Sequence, residues 1–318
     1  MKKMRIIAVV LSALCLLTGC TSGKIEKQNT YKEQAIAHMT AGEYEEALSG
    51  LNNALALSDG KVTEREIDIC YYKGAAQFLM SDTAGALETY SGLISYDENN
   101  AKAYYLRGNL YLKEGEEELA LKDYKKAVSV SDNDYELYIE IYENLNASDY
   151  RDDGLEFLNL ALEIQGDTAH QLLWRGKIYL ILEQYDAAEK VLTSAVEKGN
   201  DEANIYLAQA YRGKGEEEKA SEVLSSFAEK SQATSVGLMV LGDLYMESQE
   251  YDKAYEAYEK GLNLEKVTNK KQLLKNEIGA LEYMGDFAKA LEVANAYIAE
   301  YPSDADVLKE LIFLNTRV

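Results

Sequence analysis

The sequence predicts an all-α protein built from a row of similar helical hairpins, and three observations lead to this class. The 318-residue chain contains one proline, Pro302, so long helices are not interrupted. Similar segments recur mostly every 34 residues, a period typical of stacked supersecondary units. In each segment, two successive stretches have apolar residues spaced as on one face of a helix.

The first element is a signal segment at residues 1–19. A basic start, MKKMR, precedes an apolar run from Ile6 to Leu17, which is too short for an ordinary transmembrane helix. The residues LTGC follow and end at Cys20. This order resembles the signal of bacterial lipoproteins, and the resemblance implies that Cys20 carries the lipid. The alternative is an ordinary secretory signal in which Cys20 has no role.

Eight repeat units follow a short tether at residues 20–27 and occupy residues 28–304. They start near residues 28, 67, 101, 135, 169, 201, 235 and 271. Position 20 is alanine in seven units and glycine in one, and position 8 is small in six units. We expect these small residues to let the two helices of a unit cross closely, with Gly108 making room for Ala120. Glycines mark the turn between the two helices in four units, namely Gly42, Gly115, Gly215 and Gly285.

The unit at residues 101–134 shows the pattern most fully. Its characteristic residues are Tyr104, Gly108, Tyr111, Ala120, Tyr124 and Ala127. This pattern resembles the tetratricopeptide repeat. The resemblance implies an α-solenoid, a right-handed superhelix of about eight helical hairpins that binds proteins on its concave face.

Two parts of the chain depart from the regular pattern. The unit at 135–168 has Tyr142 and Gly154 where a small residue and alanine are expected, which predicts an altered helix crossing. Residues 305–318 are predicted to form a capping helix, because a terminal unit cannot bury its own apolar face. Its apolar residues Val307, Leu308, Leu311 and Ile312 are expected to cover the last hairpin.

Composition argues against several functions. The formal net charge is −22, which repels nucleic acid and would favour a basic partner. The alternative is that the acidic residues form a solvated helix surface with no partner. Only Cys70 remains in the mature body, so we expect no internal disulfide and no cysteine metal cluster, and its place at a core position predicts a buried thiol. Motifs of phosphate loops, zinc proteases and serine hydrolases are missing, so we expect no enzyme, cofactor or metal.

Candidate binding residues come from the resemblance, which implies that positions 5, 9 and 12 of the first helices face the concave surface. These candidates are Tyr71, Tyr105, Asn109, Leu112, Ile139, Leu173, Lys177, Leu180, Ile205, Met239 and Met246. They predict an apolar ridge flanked by polar groups, which suits an extended peptide or an amphipathic helix. The alternative is that the ridge packs on neighbouring units and is structural.

The sequence therefore predicts a membrane-anchored, non-enzymatic scaffold of the bacterial cell envelope. It is expected to lie outside the cytoplasm, attached only by its N-terminal lipid to the cell membrane, or to the outer membrane where the cell has one. One alternative is a lipoprotein that assembles outer-membrane proteins, pili or secretion machinery. Another is an envelope hydrolase, which requires a compact polar pocket with a strongly perturbed carboxyl. The partner's identity and the oligomeric state are left open.

Overall fold

The structure is a computed structural model that describes residues 23–229, 234–302 and 304–318. Within these ranges the chain is helical and contains no strand. The helices are α1 at residues 23–41, α2 Tyr44–Ala56, α3 Glu64–Leu79, α4 Thr83–Tyr96, α5 Ala101–Lys113, α6 Glu117–Val130, α7 Tyr135–Ala147, α8 Arg151–Glu163, α9 Ala169–Ile181, α10 Tyr185–Glu197, α11 Ala203–Gly213, α12 Glu217–Glu229, α13 Ser235–Glu247, α14 Tyr251–Leu262, α15 Lys270–Met284, α16 Phe287–Glu300 and α17 Ala305–Leu314.

Successive helices pair as eight hairpins, from α1 with α2 to α15 with α16, and α17 follows them. The predicted all-α class of repeated hairpins is confirmed. The chain forms two compact units, of which the first ends at Phe157 and the second begins at Leu158, within α8. No helix in the described ranges is both long enough and apolar enough to cross a membrane.

Short polar side chains cap the start of several helices. Thr63 and Thr168 each form a capping box. The threonine side chain accepts a hydrogen bond from a backbone N–H of the first turn, and a glutamate or glutamine side chain accepts one from the backbone N–H of the threonine. Asn100 accepts from the backbone N–H of Ala103, and Asp134 does the same for α7. These contacts satisfy N–H groups that have no partner inside the helix.

The turn inside each hairpin requires one residue in the left-handed region. Gly42, Gly115, Gly215 and Gly285 have φ between 75° and 79°, as expected for glycine after a helix. In the other four hairpins the same place is held by residues with side chains, namely Ser81, Asp149, Glu183 and Gln249, with φ between 57° and 68°. The turn geometry is therefore common to all eight hairpins, although glycine is not.

The glycines at position 8 make room for the large residue at position 24, and not mainly for the alanine at position 20. A Cβ atom on Gly108 would lie 2.8 Å from the ring of Tyr124 and 3.4 Å from the backbone oxygen of Ala120. Gly74, Gly176 and Gly242 oppose the position-24 residue of their own hairpins in the same way. The prediction that Gly108 accommodates Ala120 was therefore incomplete, because the ring is the nearer neighbour.

The irregular fourth hairpin exchanges the sizes of the two facing residues. Tyr142 is large at position 8, and a Cβ atom on Gly154 would lie 3.0 Å from its side chain and 3.2 Å from its backbone oxygen. Glycine at position 20 therefore compensates for tyrosine at position 8. The departure that the sequence shows in this unit is a paired change that preserves the close contact.

Alanines and aromatic rings fill the core. The alanines at position 20 are fully buried, and so is Tyr124. In α17, Val307 and Leu314 are buried against the last hairpin. Leu308 and Ile312 are exposed, Ile312 to 71%, so the prediction that these two side chains cover the hairpin was wrong. Leu314 packs against the last hairpin instead.

Candidate functional site

Tyr71, the first candidate, is tied to the start of the next hairpin. Its hydroxyl donates to the side-chain oxygen of Asn100 over 2.7 Å, and the same oxygen caps α5. The ammonium of Lys102 lies 4.5 Å from the centre of the Tyr71 ring. Burial raises the pKa of Tyr71, so its hydroxyl stays protonated. These contacts give Tyr71 a structural part in joining α3 to α5.

Four side chains form the group that we call the Tyr105 cluster: Tyr105, Asn109, Tyr124 and Asn144. The Tyr124 hydroxyl donates to Asn109 Oδ1 over 2.7 Å, and Asn144 Nδ2 donates to the same atom over 3.2 Å. Asn144 Nδ2 also donates to the Tyr105 hydroxyl over 2.9 Å. The cluster thereby links α5, α6 and α7, and Tyr105, Asn109 and Asn144 are half-buried at its surface.

An acidic row borders the Tyr105 cluster on α7. Glu136, Glu140 and Glu143 are exposed, and their spacing places them on one face of the helix. Partial desolvation raises the pKa of Glu140, and the neighbouring Glu136 raises it further, while a hydrogen bond with Tyr105 opposes the rise. The acidic row is therefore a concentration of negative charge that lies directly beside an aromatic and amide surface.

A related arrangement occurs in the second compact unit. The Tyr258 hydroxyl donates to Asp243 Oδ1 over 2.7 Å, and Asn276 Nδ2 donates to the same atom over 2.7 Å. Burial raises the pKa of Asp243, whereas these two donors lower it. Position 9 therefore connects its own hairpin to the next one in both units. It follows that Asn109 has a structural function whether or not it contacts a ligand.

Lys177 lies between two aromatic rings in the second unit. Its ammonium is 4.1 Å from the centre of the Trp174 ring and 4.5 Å from that of Tyr206. Trp174 Nε1 donates to His170 Nε2 over 3.0 Å. Trp174 is the one tryptophan of the chain, so its fluorescence reports on this surface alone. The arrangement shows that these rings accept a cation on their faces.

Three candidates are not available to a ligand. Ile205 is fully buried, and Leu173 and Leu112 are exposed to 5% and 8%. Ile205 and Leu173 belong to hydrophobic clusters between successive hairpins. The prediction that these three side chains form part of an exposed ridge was wrong, because all three are buried.

The remaining apolar candidates are half-buried. They are Ile139, Leu180, Met239 and Met246. Leu180 packs against one hydrophobic cluster, and both methionines pack against another. Met239 also receives Asn269 Nδ2 at 3.2 Å from its sulfur. Their exposed parts can contact a ligand, and such binding stays a prediction.

Asn144, Glu140, Trp174 and Tyr206 were not among the sequence candidates. The acidic row of α7 has a detectable signal, because its spacing of four and three residues is visible in the sequence. Asn144 has none, since its hydrogen bonds reach residues 35 and 39 positions earlier in the chain. Cys20, the predicted lipidation site, lies outside the described residues.

Glu282, in the second unit, is a carboxyl with a strongly raised pKa. Burial and the neighbouring Glu310 raise the pKa of Glu282 to about 7. Neither residue lines the cavities at residues 31–53, 55–96 and 202–268. Among the residues whose positions are described, no group of three or more histidine, cysteine or acidic side chains could hold a metal ion.

The hairpins place the chain in the class of helical-repeat proteins. Family models of the tetratricopeptide repeat match residues 101–134, 172–197 and 237–268. The prediction of tetratricopeptide repeats is therefore confirmed for these segments, of which the first coincides with the unit predicted at 101–134. Comparison with curated proteins gives no match.

Solved structures of helical-repeat proteins are similar to this chain. A tetratricopeptide repeat protein from Parabacteroides merdae is 17% identical, with 80% of this chain and 99% of that chain covered and a TM-score of 0.43. The Cut9–Hcn1 hetero-tetramer of the APC/C matches at 15% identity, covering 88% of this chain and 54% of that chain, with a TM-score of 0.39. Naa15/Naa10 bound to HypK-THB matches at 14% identity, covering 91% and 39%, with a TM-score of 0.35.

Proposed function

We propose that this protein is a non-enzymatic scaffold that binds an extended segment of a partner protein. Its signal segment suggests that it is anchored by a lipid at Cys20 to a membrane of the bacterial cell envelope, outside the cytoplasm. Tetratricopeptide arrays present extended surfaces that bind proteins. The observation that carries the proposal is the acidic row of α7 beside the Tyr105 cluster.

The chemistry of this surface indicates a basic partner segment. Glu136, Glu140 and Glu143 offer carboxylates to lysine or arginine side chains, and Tyr105 offers an aromatic surface and a hydroxyl. A chain with a formal net charge of −22 attracts such a segment at long range. In the same compact unit, the Lys102 ammonium lies over the ring of Tyr71. A tyrosine ring of this unit therefore accepts a cation on its face.

Crosslinking of the lipidated protein in its own cells tests the proposal. The variant Glu140→Gln with Glu143→Gln removes two charges with little change of shape, and capture of the partner should fall. The matched control is Asp152→Asn with Glu156→Gln, because both residues are exposed and lie on the second helix of the same hairpin. Equal capture by both variants would contradict the α7 surface as the binding site.

Membrane anchoring needs a separate experiment. The variant Cys20→Ser should move the protein from the membrane fraction to the soluble fraction, and it should lose incorporation of a labelled fatty acid. If the wild-type protein incorporates no label, the lipoprotein part of the proposal is wrong. Partner binding through α7 can still be correct in that case, so the two parts fail independently.

A further inference from the structure

A cavity in the first compact unit is not used by the proposed scaffold function. Its volume is about 460 Å³, within the range of about 300 to 1,000 Å³ of small-molecule sites. The apolar side chains on its wall are Leu55, Val62, Ile67, Leu93 and Tyr96. The thiol of Cys70 also lines it. Its interior is thus suited to an apolar molecule.

An insertion between the first two hairpins contributes to this cavity. The connection from α2 to α3 spans residues 57–63, whereas four residues, 97–100, connect α4 to α5. Ser58, Gly60 and Val62 of the longer connection line the cavity. The repeat step of 39 residues in the sequence therefore corresponds to a connection that is longer than the one between α4 and α5.

Gly92 lies on α4, is exposed, and lines the cavity. A Cβ atom at this position would meet nothing within 4 Å, so close packing does not require the glycine. A helix-interior glycine costs up to about 1 kcal/mol relative to alanine. A larger residue at this position can therefore extend beside the cavity without displacing its neighbours.

Two lysines line the cavity together with the apolar residues. Lys61 and Lys73 make no ion pair within the described part of the chain. Two residues with carboxylates, Glu66 and Glu88, also line the cavity. Glu66 accepts hydrogen bonds from Thr63 and from Gln28, and Glu88 is exposed. The lysines are therefore available to an anionic ligand, in a chain whose overall charge is strongly negative.

We propose that this cavity binds a fatty acid, with the acyl chain along the apolar wall and the carboxylate held by Lys61 and Lys73. An apolar ligand without charge would leave the two ammonium groups unused, and a small anion would leave the apolar wall in water. A single acyl chain with an anionic end satisfies both. This inference does not depend on the proposed scaffold function, and the experiments below do not involve the protein partner.

Binding is measured on the mature chain, residues 20–318, with Cys20→Ser so that it carries no lipid of its own. All described helices lie within this chain. The probe is 11-(dansylamino)undecanoic acid, whose fluorescence should rise on binding and fall when dodecanoate displaces it. Each added methylene should tighten binding about fourfold, so dodecanoate should bind about 15-fold more tightly than decanoate. Affinity independent of chain length would overturn the proposal.

Two variants locate the site. Gly92→Leu should strongly weaken displaceable probe binding, because the added side chain takes up part of the space that the acyl chain would occupy. The control Gly279→Leu, in α15 of the other unit, also adds a side chain where a Cβ meets nothing within 4 Å, and it should bind the probe as the parent does. Lys73→Met should weaken dodecanoate about five- to tenfold and leave dodecanol unchanged. Equal binding by both leucine variants would overturn the assignment.

Cys70 provides a second readout in the same chain, where it is the single thiol. Dodecanoate should slow its modification by a maleimide in the Cys20→Ser chain and should have no effect in Gly92→Leu. Protection that persists in Gly92→Leu would place the ligand elsewhere and overturn the proposal. In the lipidated protein, Cys70 should react freely until dodecanoate is added. Protection without added dodecanoate would assign the cavity to the acyl group on Cys20 instead.

Discussion

Replacement of Gly108 by alanine should destabilise the protein, although alanine is the better helix former. The position lies inside α5, where alanine is favoured over glycine by up to about 1 kcal/mol. The added Cβ, however, would lie 2.8 Å and 2.9 Å from two carbon atoms of the Tyr124 ring. Contacts this short require a neighbouring group to move.

The ring of Tyr124 cannot move cheaply. It is fully buried, its hydroxyl is bonded to Asn109, and Phe157 packs edge-on against it with centroids 6.2 Å apart. Overpacking of this kind costs about 1 to 3 kcal/mol. After subtraction of the helix propensity, the expected net loss for Gly108→Ala is up to about 2 kcal/mol. The same contact also supports the Tyr105 cluster.

Urea denaturation followed by circular dichroism at 222 nm measures this loss. The control is Gly279→Ala in α15, where the added Cβ meets nothing within 4 Å. That variant should be more stable than the parent by about 0.5 to 1 kcal/mol. If both variants are stabilised equally, contact with Tyr124 does not explain the glycine at position 8, and the packing argument is refuted.

Three further predictions concern a turn, an ion pair and a carboxyl. Gln249→Gly should raise stability by about 0.5 to 1 kcal/mol, measured by thermal unfolding, because a φ of 62° is strained for a residue with a side chain. Asp123→Asn should cost about 2 to 3 kcal/mol in urea, since Asp123 is buried and pairs with Arg107 over 2.7 Å and 2.9 Å. Glu282, whose pKa is raised to about 7, holds a proton in the folded state that the unfolded chain releases near pH 4.5. Stability should therefore fall as pH rises from about 4.5 to about 7, and Glu282→Gln should reduce that fall in urea titrations.

Much of the candidate surface could not be predicted from sequence. The repeat phase placed Tyr105 and Asn109 on the first helix of their hairpin, and the structure finds both half-buried at the surface. The same phase also selected Leu173 and Ile205, which are buried. Position 5 is exposed or buried according to the side chains of the following hairpin, and those residues belong to a different part of the chain. Sequence periodicity describes one helix and does not include its neighbour.

The sequence by itself determined the all-α class and the order of the hairpins. These depend on local properties, namely apolar spacing within a helix, capping residues and small residues at fixed positions. Only the tertiary structure decided that Gly108 faces Tyr124, that Asn144 joins the Tyr105 cluster, and that the connection at residues 57–63 helps to line a cavity. Such features require side chains from separate helices to share one space, and their distances depend on how the helices pack.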